Sequence, residues 1–170
     1  MLLLALACST PPPASPPQTS ALVAASPVEP GETGAHGVGA LVFVPAWSSV
    51  YVGDGNRTFD LTVTLAVRNT DLDTPITVTS VRYFDAGGKL LHAYVESPTT
   101  LAPLASAATV VRESDTRAGV GGSFLVEWSA ATEVTDPVVE AVMIGSAYQQ
   151  GISFVREGRV LERRPTPSPR

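Results

Sequence analysis

Two stretches of this chain carry side chains whose types and spacing could do chemistry. The first is Asn69-Thr70-Asp71-Leu72-Asp73-Thr74-Pro75, in which Asn69, Asp71 and Asp73 stand at alternate positions. An oxygen-rich loop of that kind can hold Ca2+ through carboxylate and carbonyl ligands. The Gly and distal Glu of an EF-hand loop are missing, and Asp-Thr-Pro is ordinary turn chemistry ahead of a strand, so the turn reading takes precedence. Asp54, in Gly53-Asp54-Gly55-Asn56, admits the same two readings in the same order. The second stretch is Gly145-Ser146-Ala147-Tyr148-Gln149-Gln150-Gly151. There an apolar strand gives way to small residues around Tyr148, Gln149 and Gln150. An aromatic face beside amide donors and acceptors suits recognition of a sugar or a peptide, and a strand-connecting loop whose Gln side chains bond backbone is the structural alternative.

Catalytic signals are thin. A nucleophilic mechanism needs a Ser or Cys beside an oriented base, and the chain has two histidines, His36 and His92. His36 falls in a Gly-rich stretch, and His92 reads as an outward-facing strand residue. The pairs Glu113 with Asp115 and Glu127 with Glu140 could in principle act as acid and base on a glycosidic bond, but any acidic β-protein offers such pairs. No Gly-x-Ser-x-Gly elbow, phosphate-binding Gly loop or His-Glu-x-x-His is present. The sequence therefore assigns no catalytic residue and no cofactor, and it reads as a non-enzyme.

The elements that must position these residues are strands. In Thr58-Phe59-Asp60-Leu61-Thr62-Val63-Thr64-Leu65-Ala66-Val67-Arg68 every odd position is large and apolar, the period of a half-buried strand. Phe59, Leu61, Val63, Leu65 and Val67 should share one buried face, with the register fixed by that face. In Ile76–Phe84 the apolar set starts on even residues and changes to odd ones at Val81, which predicts a β-bulge near Ser80. Asp85-Ala86-Gly87-Gly88-Lys89 reads as a hairpin turn into Leu90–Val95. Further β-type runs are Leu41–Val44, Ser49–Val52, Ala108–Glu113, Ser123–Trp128, Val138–Ile144, and Gly151–Val155 leading to Val160. Trp47 and Trp128 are placed in the core. No run carries a long helical stripe. About seven to nine short, alternating strands indicate an all-β fold, an antiparallel immunoglobulin-like β-sandwich, with a closed barrel as second choice.

Composition sets the organisation around that domain. Seven of the 15 prolines lie between Pro11 and Pro30, and four glycines follow from Gly31 to Gly39. Residues 9–37 thus read as a solvated spacer gaining about 3 Å per residue where polyproline-like. Residues 38–162 form the folded domain, and the Pro-rich residues 163–170 a disordered tail. The domain carries 8 basic against 14 acidic side chains. With a chain net charge of -5 there is no basic patch from which counterion release could drive nucleic-acid binding. The run Leu2–Ala7 is too short to span a bilayer as a helix.

Residues 1–8 carry a different signal. Leu2-Leu3-Leu4-Ala5-Leu6-Ala7-Cys8-Ser9-Thr10 resembles the end of a bacterial lipoprotein signal peptide, in which the cysteine after a small residue becomes acylated and is the mature first residue. The resemblance implies lipidation at Cys8, export through the inner membrane, and a domain anchored in the cell envelope by fatty chains. Each buried CH2 of such a chain contributes about 0.8 kcal/mol. In Gram-negative members an Asp after the cysteine is linked with inner-membrane retention, and Ser9 points instead to the outer membrane. A single cysteine leaves no internal disulfide.

The strings VYVGDGNRTFDLTVTLAVRNTDLDTPITVTSVRYFDAGGKLL, FLVEWSA and PVVEAVMIGSAYQQGISFVREGRV resemble the bacterial family of unknown function DUF3124, over about Val44 to Val160. That family has no assigned activity, so the resemblance implies one envelope domain and supplies no site residues. The expected protein is a lipid-anchored envelope component whose sandwich is an interaction or scaffolding module for an envelope protein. The alternatives are a sugar or peptide module built on Tyr148, and then a hydrolase. The oligomeric state is not written in the sequence.

Overall fold

The computed structural model describes residues 23–24, 37–147 and 150–164. Among them are thirteen strands: β1 (Val23–Ala24), β2 (Val38–Pro45), β3 (Ser49–Val52), β4 (Arg57–Asp60), β5 (Thr62–Arg68), β6 (Ile76–Phe84), β7 (Leu90–Ala93), β8 (Thr99–Leu101), β9 (Ser106–Val111), β10 (Ser123–Ala130), β11 (Val138–Ala147), β12 (Gln150–Glu157) and β13 (Arg159–Arg164). One short 3-10 turn, Gly119–Gly121, precedes β10. The strands form two antiparallel sheets, in the order β1-β9-β5-β11-β12 and β13-β2-β10-β6-β7 with β8 also on β6, plus a two-stranded ribbon of β3 and β4. The all-β sandwich reading of the sequence holds. The strand number exceeds the seven to nine expected because β1 and β8, of two and three residues, are too short to show alternation, and the Thr58–Arg68 and Gly151–Val160 runs each divide into two strands.

The core lies between the sheets. Val63, Leu65 and Val67 of β5 and Ala141 and Met143 of β11 meet Val42 and Val44 of β2, Val78, Val81 and Tyr83 of β6, and Phe124 and Val126 of β10. Tyr83 stacks on Phe124 with ring centroids 4.5 Å apart, and its hydroxyl donates to the Ala46 carbonyl at 3.4 Å. Burial pushes the Tyr83 phenol far above its ordinary value and that of Tyr94 up to about 12, because the charged phenolate has no water to solvate it. Trp128 is buried in this core. Trp47 is only half-buried, tilted against Phe154 at 5.5 Å.

The bulge in β6 sits where the change of parity demands it. Glu127 of β10 pairs with Ser80 and Trp128 with Val78, leaving Thr79 as the extra residue. Ile76 and Val78 before it, and Val81 and Tyr83 after it, all stay inside. The Asp85–Lys89 hairpin also forms. Its Gly88 adopts φ +80°, and Asp85 Oδ1 accepts from the Gly87 and Lys89 amides at 2.9 Å each.

The Thr58–Arg68 run is divided, not continuous. Leu61 lies between β4 and β5 and donates its N–H to the Ser48 carbonyl at 2.9 Å. β4 pairs with β3 outside the five-stranded sheet that holds β5. The reason is Gly145 on β11, beside the point of departure. A Cβ there would lie 2.6 Å from the Asp60 carbonyl oxygen and 2.9 Å from Leu61 Cδ2, so the missing side chain is the space through which the chain crosses. The shared apolar face survives the break, with Phe59 half-buried and the other four residues fully buried.

The boundaries of the folded unit differ from the compositional ones at both ends. Val23 and Ala24, within the spacer, pair with Ala108 and Ala107 of β9. Arg163 and Arg164, assigned to the tail, belong to β13 and pair with Ala40 and Gly39. Proline density marked neither, since sheet pairing is satisfied by backbone groups whatever the side chains.

Candidate functional site

An open sandwich has sheet edges, and each edge offers unpaired N–H and C=O groups to any extended chain. Three of the four edges here are blunted. β9 is capped by β1 at Ala107 and Ala108. β7 has four residues and a register break between Tyr83 and Phe84. β13 has a register break between Val160 and Glu162, and Arg159, Glu162, Arg163 and Arg164 make it mostly charged. β12 has none of these devices. It pairs with β11 in unbroken register from Glu140↔Glu157 to Ala147↔Gln150 and contains neither Pro nor Lys.

The side chains around that edge are apolar. Val155, 46% exposed, and Ile144 on the neighbouring strand, 54% exposed, share the outer face, whereas Ile152, 37% exposed, is on the opposite face with Phe154. Val155 stands opposite Val142, extending the patch across the strand pair. The one guanidinium on β12, Arg156, lies over the Trp47 ring at 5.3 Å and the Phe154 ring at 5.8 Å. There it gains cation–π attraction on the face of β12 opposite to Val155. At the far end Arg68 Nε donates to Glu140 Oε1 at 3.1 Å.

The residues singled out from sequence are distributed as follows. Cys8, Tyr148 and Gln149 lie outside the described residues. Gln150 is the first residue of β12, with its backbone paired to Ala147. Asn69, Asp71 and Asp73 occupy one loop, but the side-chain oxygens of Asn69 and Asp71 are turned to backbone. Asn69 Oδ1 accepts from the Asp71 amide at 3.0 Å. Asp71 Oδ1 accepts from the Asp73 and Thr74 amides at 3.0 and 2.8 Å, and its Oδ2 from Thr135 at 2.9 Å. These atoms build a turn and tie it to the β10–β11 loop. Among the described residues no group of three His, Cys, Asp or Glu is placed to hold a metal ion. Asp54 likewise accepts from the amide and side chain of Asn56.

Of the carboxylate pairs, Glu127 and Glu140 are not brought together. Glu127 is on the outer face of one sheet, where it binds Arg82 at 2.7 Å and Arg164 at 3.3 Å. Glu140 is on the outer face of the other, so the core separates them. Asp115 takes a two-pronged bond from Arg117 at 2.7 and 2.6 Å, which holds its carboxyl below the ordinary carboxylate range. His92 is half-buried, its ring edge-on to Tyr94 at 4.5 Å.

The Asp71 bonds have a pH consequence. Amide donors from Thr135, Asp73 and Thr74 lower its pKa from 3.8 to about 2. A folded pKa below the unfolded one means stability that is fully present above about pH 4 and lost as pH falls through about 2. Asp71→Asn is therefore expected to flatten the acid limb of a melting-temperature profile over that window. Profiles of parent and variant that run parallel would refute the assignment.

Two antiparallel sheets packed over one core make this an all-β sandwich domain. The sequence profile of the family described as Protein of unknown function (DUF3124) matches residues 39–161, and the chain belongs to that family. No curated protein and no solved structure matches it. Among the described residues no helix is long and apolar enough to cross a membrane.

Proposed function

We propose that this protein is a lipid-anchored component of the bacterial cell envelope, non-enzymatic, whose sandwich binds another envelope protein by adding a strand to β12. The observation that carries the interaction reading is the contrast between that edge and the other three. Natural sheets protect their edges, and an eight-residue strand in unbroken register, uncharged over its middle and bordered on its outer face by Ile144 and Val155, is the exception. Strand addition takes affinity from main-chain hydrogen bonds and specificity from alternate side chains. The partner implied is an extended, largely uncharged segment. The anchor reading is supported by Cys8 behind a short apolar run and ahead of a spacer that has no core of its own to bury it.

Both halves are testable in one preparation. Crosslinking in intact envelopes, followed by mass spectrometry, is expected to capture a discrete partner with crosslinks at β12. Ser153→Pro, which removes a donor and adds a ring on that strand, should abolish capture while the purified variant keeps its melting transition. Capture unaffected by Ser153→Pro would refute the edge. Cys8→Ser is expected to move the protein from the membrane to the soluble fraction, and unchanged fractionation would refute the anchor.

A further inference from the structure

Away from β12, three segments converge on a shallow, open depression. The ribbon contributes Ser49, Tyr51 and Thr58, the β6–β7 turn Asp85 and Gly87, and the loop before β10 Arg117 and Val120, around a groove of about 350 Å³. That volume is at the small end of ligand clefts, which run from about 300 to 1,000 Å³. We propose that this groove is a binding site for a neutral oligosaccharide, with Tyr51 as the stacking platform and Asp85 and Arg117 as the hydroxyl-binding groups.

The ribbon is two-faced. Val50 and Phe59 pair across it and pack on the core, whereas Tyr51 and Thr58, the next pair, point the other way into the groove. Tyr51 is 64% exposed, so its ring contributes little to folding and is free to cover the C–H face of a pyranose. The polar groups opposite are held in place before any ligand arrives. Asp85 Oδ1 is fixed by two turn amides, and Oδ2 has no partner among the described residues. Arg117 spends Nε and one edge of Nη2 on Asp115, leaving Nη1 to donate. A carboxylate accepting from hydroxyls beside a guanidinium donating to them matches a vicinal diol.

The walls are also pinned to one another. Ser48 is fully buried, and its N–H donates to the Gly119 carbonyl at 3.0 Å while its Oγ accepts from the Gly119 N–H at 2.9 Å. Gly119 needs φ +60° to make that exchange. Gly121 approaches the third wall so closely that a Cβ there would lie 2.8 Å from Ala86 Cβ. Such a rigid groove loses little entropy on binding. Its charge selects the ligand class. Asp115 neutralises Arg117 and Asp85 adds a negative charge, so an anionic glycan or acidic peptide finds no net attraction.

The test is a titration of the 15N-labelled chain with maltotetraose, cellotetraose and tetra-N-acetylchitotetraose, each at millimolar concentration. At least one is expected to shift amides confined to the ribbon, the 85–88 turn and residues 117–120. Tyr51→Ala should weaken that binding about tenfold, which corresponds to about 1.4 kcal/mol, with an unchanged melting temperature. Arg117→Gln should weaken it independently. No shift with any of the three sugars, shifts elsewhere, undiminished binding by Tyr51→Ala, or tighter binding of polygalacturonate oligomers would each overturn the proposal. The β12 edge does not enter this experiment, so its outcome is independent of strand addition.

Discussion

Replacing Val63 by Asp is expected to abolish cooperative folding. Val63 is fully buried near the start of β5, the central strand of its sheet, paired with Met143 on one side and Val111 on the other. Its side chain points between the sheets, where no described group is positioned to pair with a carboxylate. Placing an unpaired carboxylate there costs about 4 kcal/mol or more, against a total stability of about 5–15 kcal/mol for a domain of this kind. The carboxyl can escape part of the cost by protonating, so residual structure should reappear at low pH. Circular dichroism melts at pH 7 and pH 4 would show this. A parent-like transition at pH 7 would mean that β5 does not face the core. Thr64→Asp is the control, because that neighbour faces outward and is half-buried; it should leave a clear transition.

Asn69→Ala should be the most damaging single change outside the apolar core. Asn69 is 2% exposed, and its Nδ2 lies within hydrogen-bond reach of the Thr74, Leu101 and Ala102 carbonyls at 2.9, 3.2 and 3.1 Å. Its Oδ1 holds the Asp71 amide, and its own N–H donates to Ala105. One amide therefore fastens the loop after β5 to the chain that follows β8. Truncation leaves buried carbonyls without a donor, at about 2–4 kcal/mol, which lowers the melting temperature by roughly 5–15 °C. Asn69→Asp keeps the acceptor but loses the donor, and adds a charge facing carbonyls. It should be no more stable than the Ala variant at neutral pH. If Asn69→Asp melted like the parent, the carbonyl contacts would carry no weight.

Asn69 also shows how a local signal can be read in the right place for the wrong role. Its spacing with Asp71 and Asp73 drew attention to oxygen atoms, yet the nitrogen makes the long-range contacts. No pattern in residues 69–75 announces the Leu101 and Ala102 carbonyls, which are more than thirty residues away. The same limit applies to the groove. Tyr51, Asp85 and Arg117 come from three separate segments with no motif linking them, and the Ser48–Gly119 exchange that holds two of those segments together pairs residues 71 apart.

What the chain dictated by itself was everything governed by period and by near neighbours. Alternation in Ile76–Phe84 located the bulge, since a strand can keep both halves of a mixed-parity pattern inside only by inserting a residue. Asp85-Ala86-Gly87-Gly88-Lys89 specified its turn, because Asp and Gly satisfy the local bonds and the positive φ without outside help. Tertiary structure alone decided which strands are neighbours. It parted β4 from β5 at the gap left by Gly145, carried β13 across to the other sheet, and left β12 at an edge while β5, of similar composition, became central. Edge or centre is a property of the partner strand, and a strand's own residues encode only which of its faces is apolar.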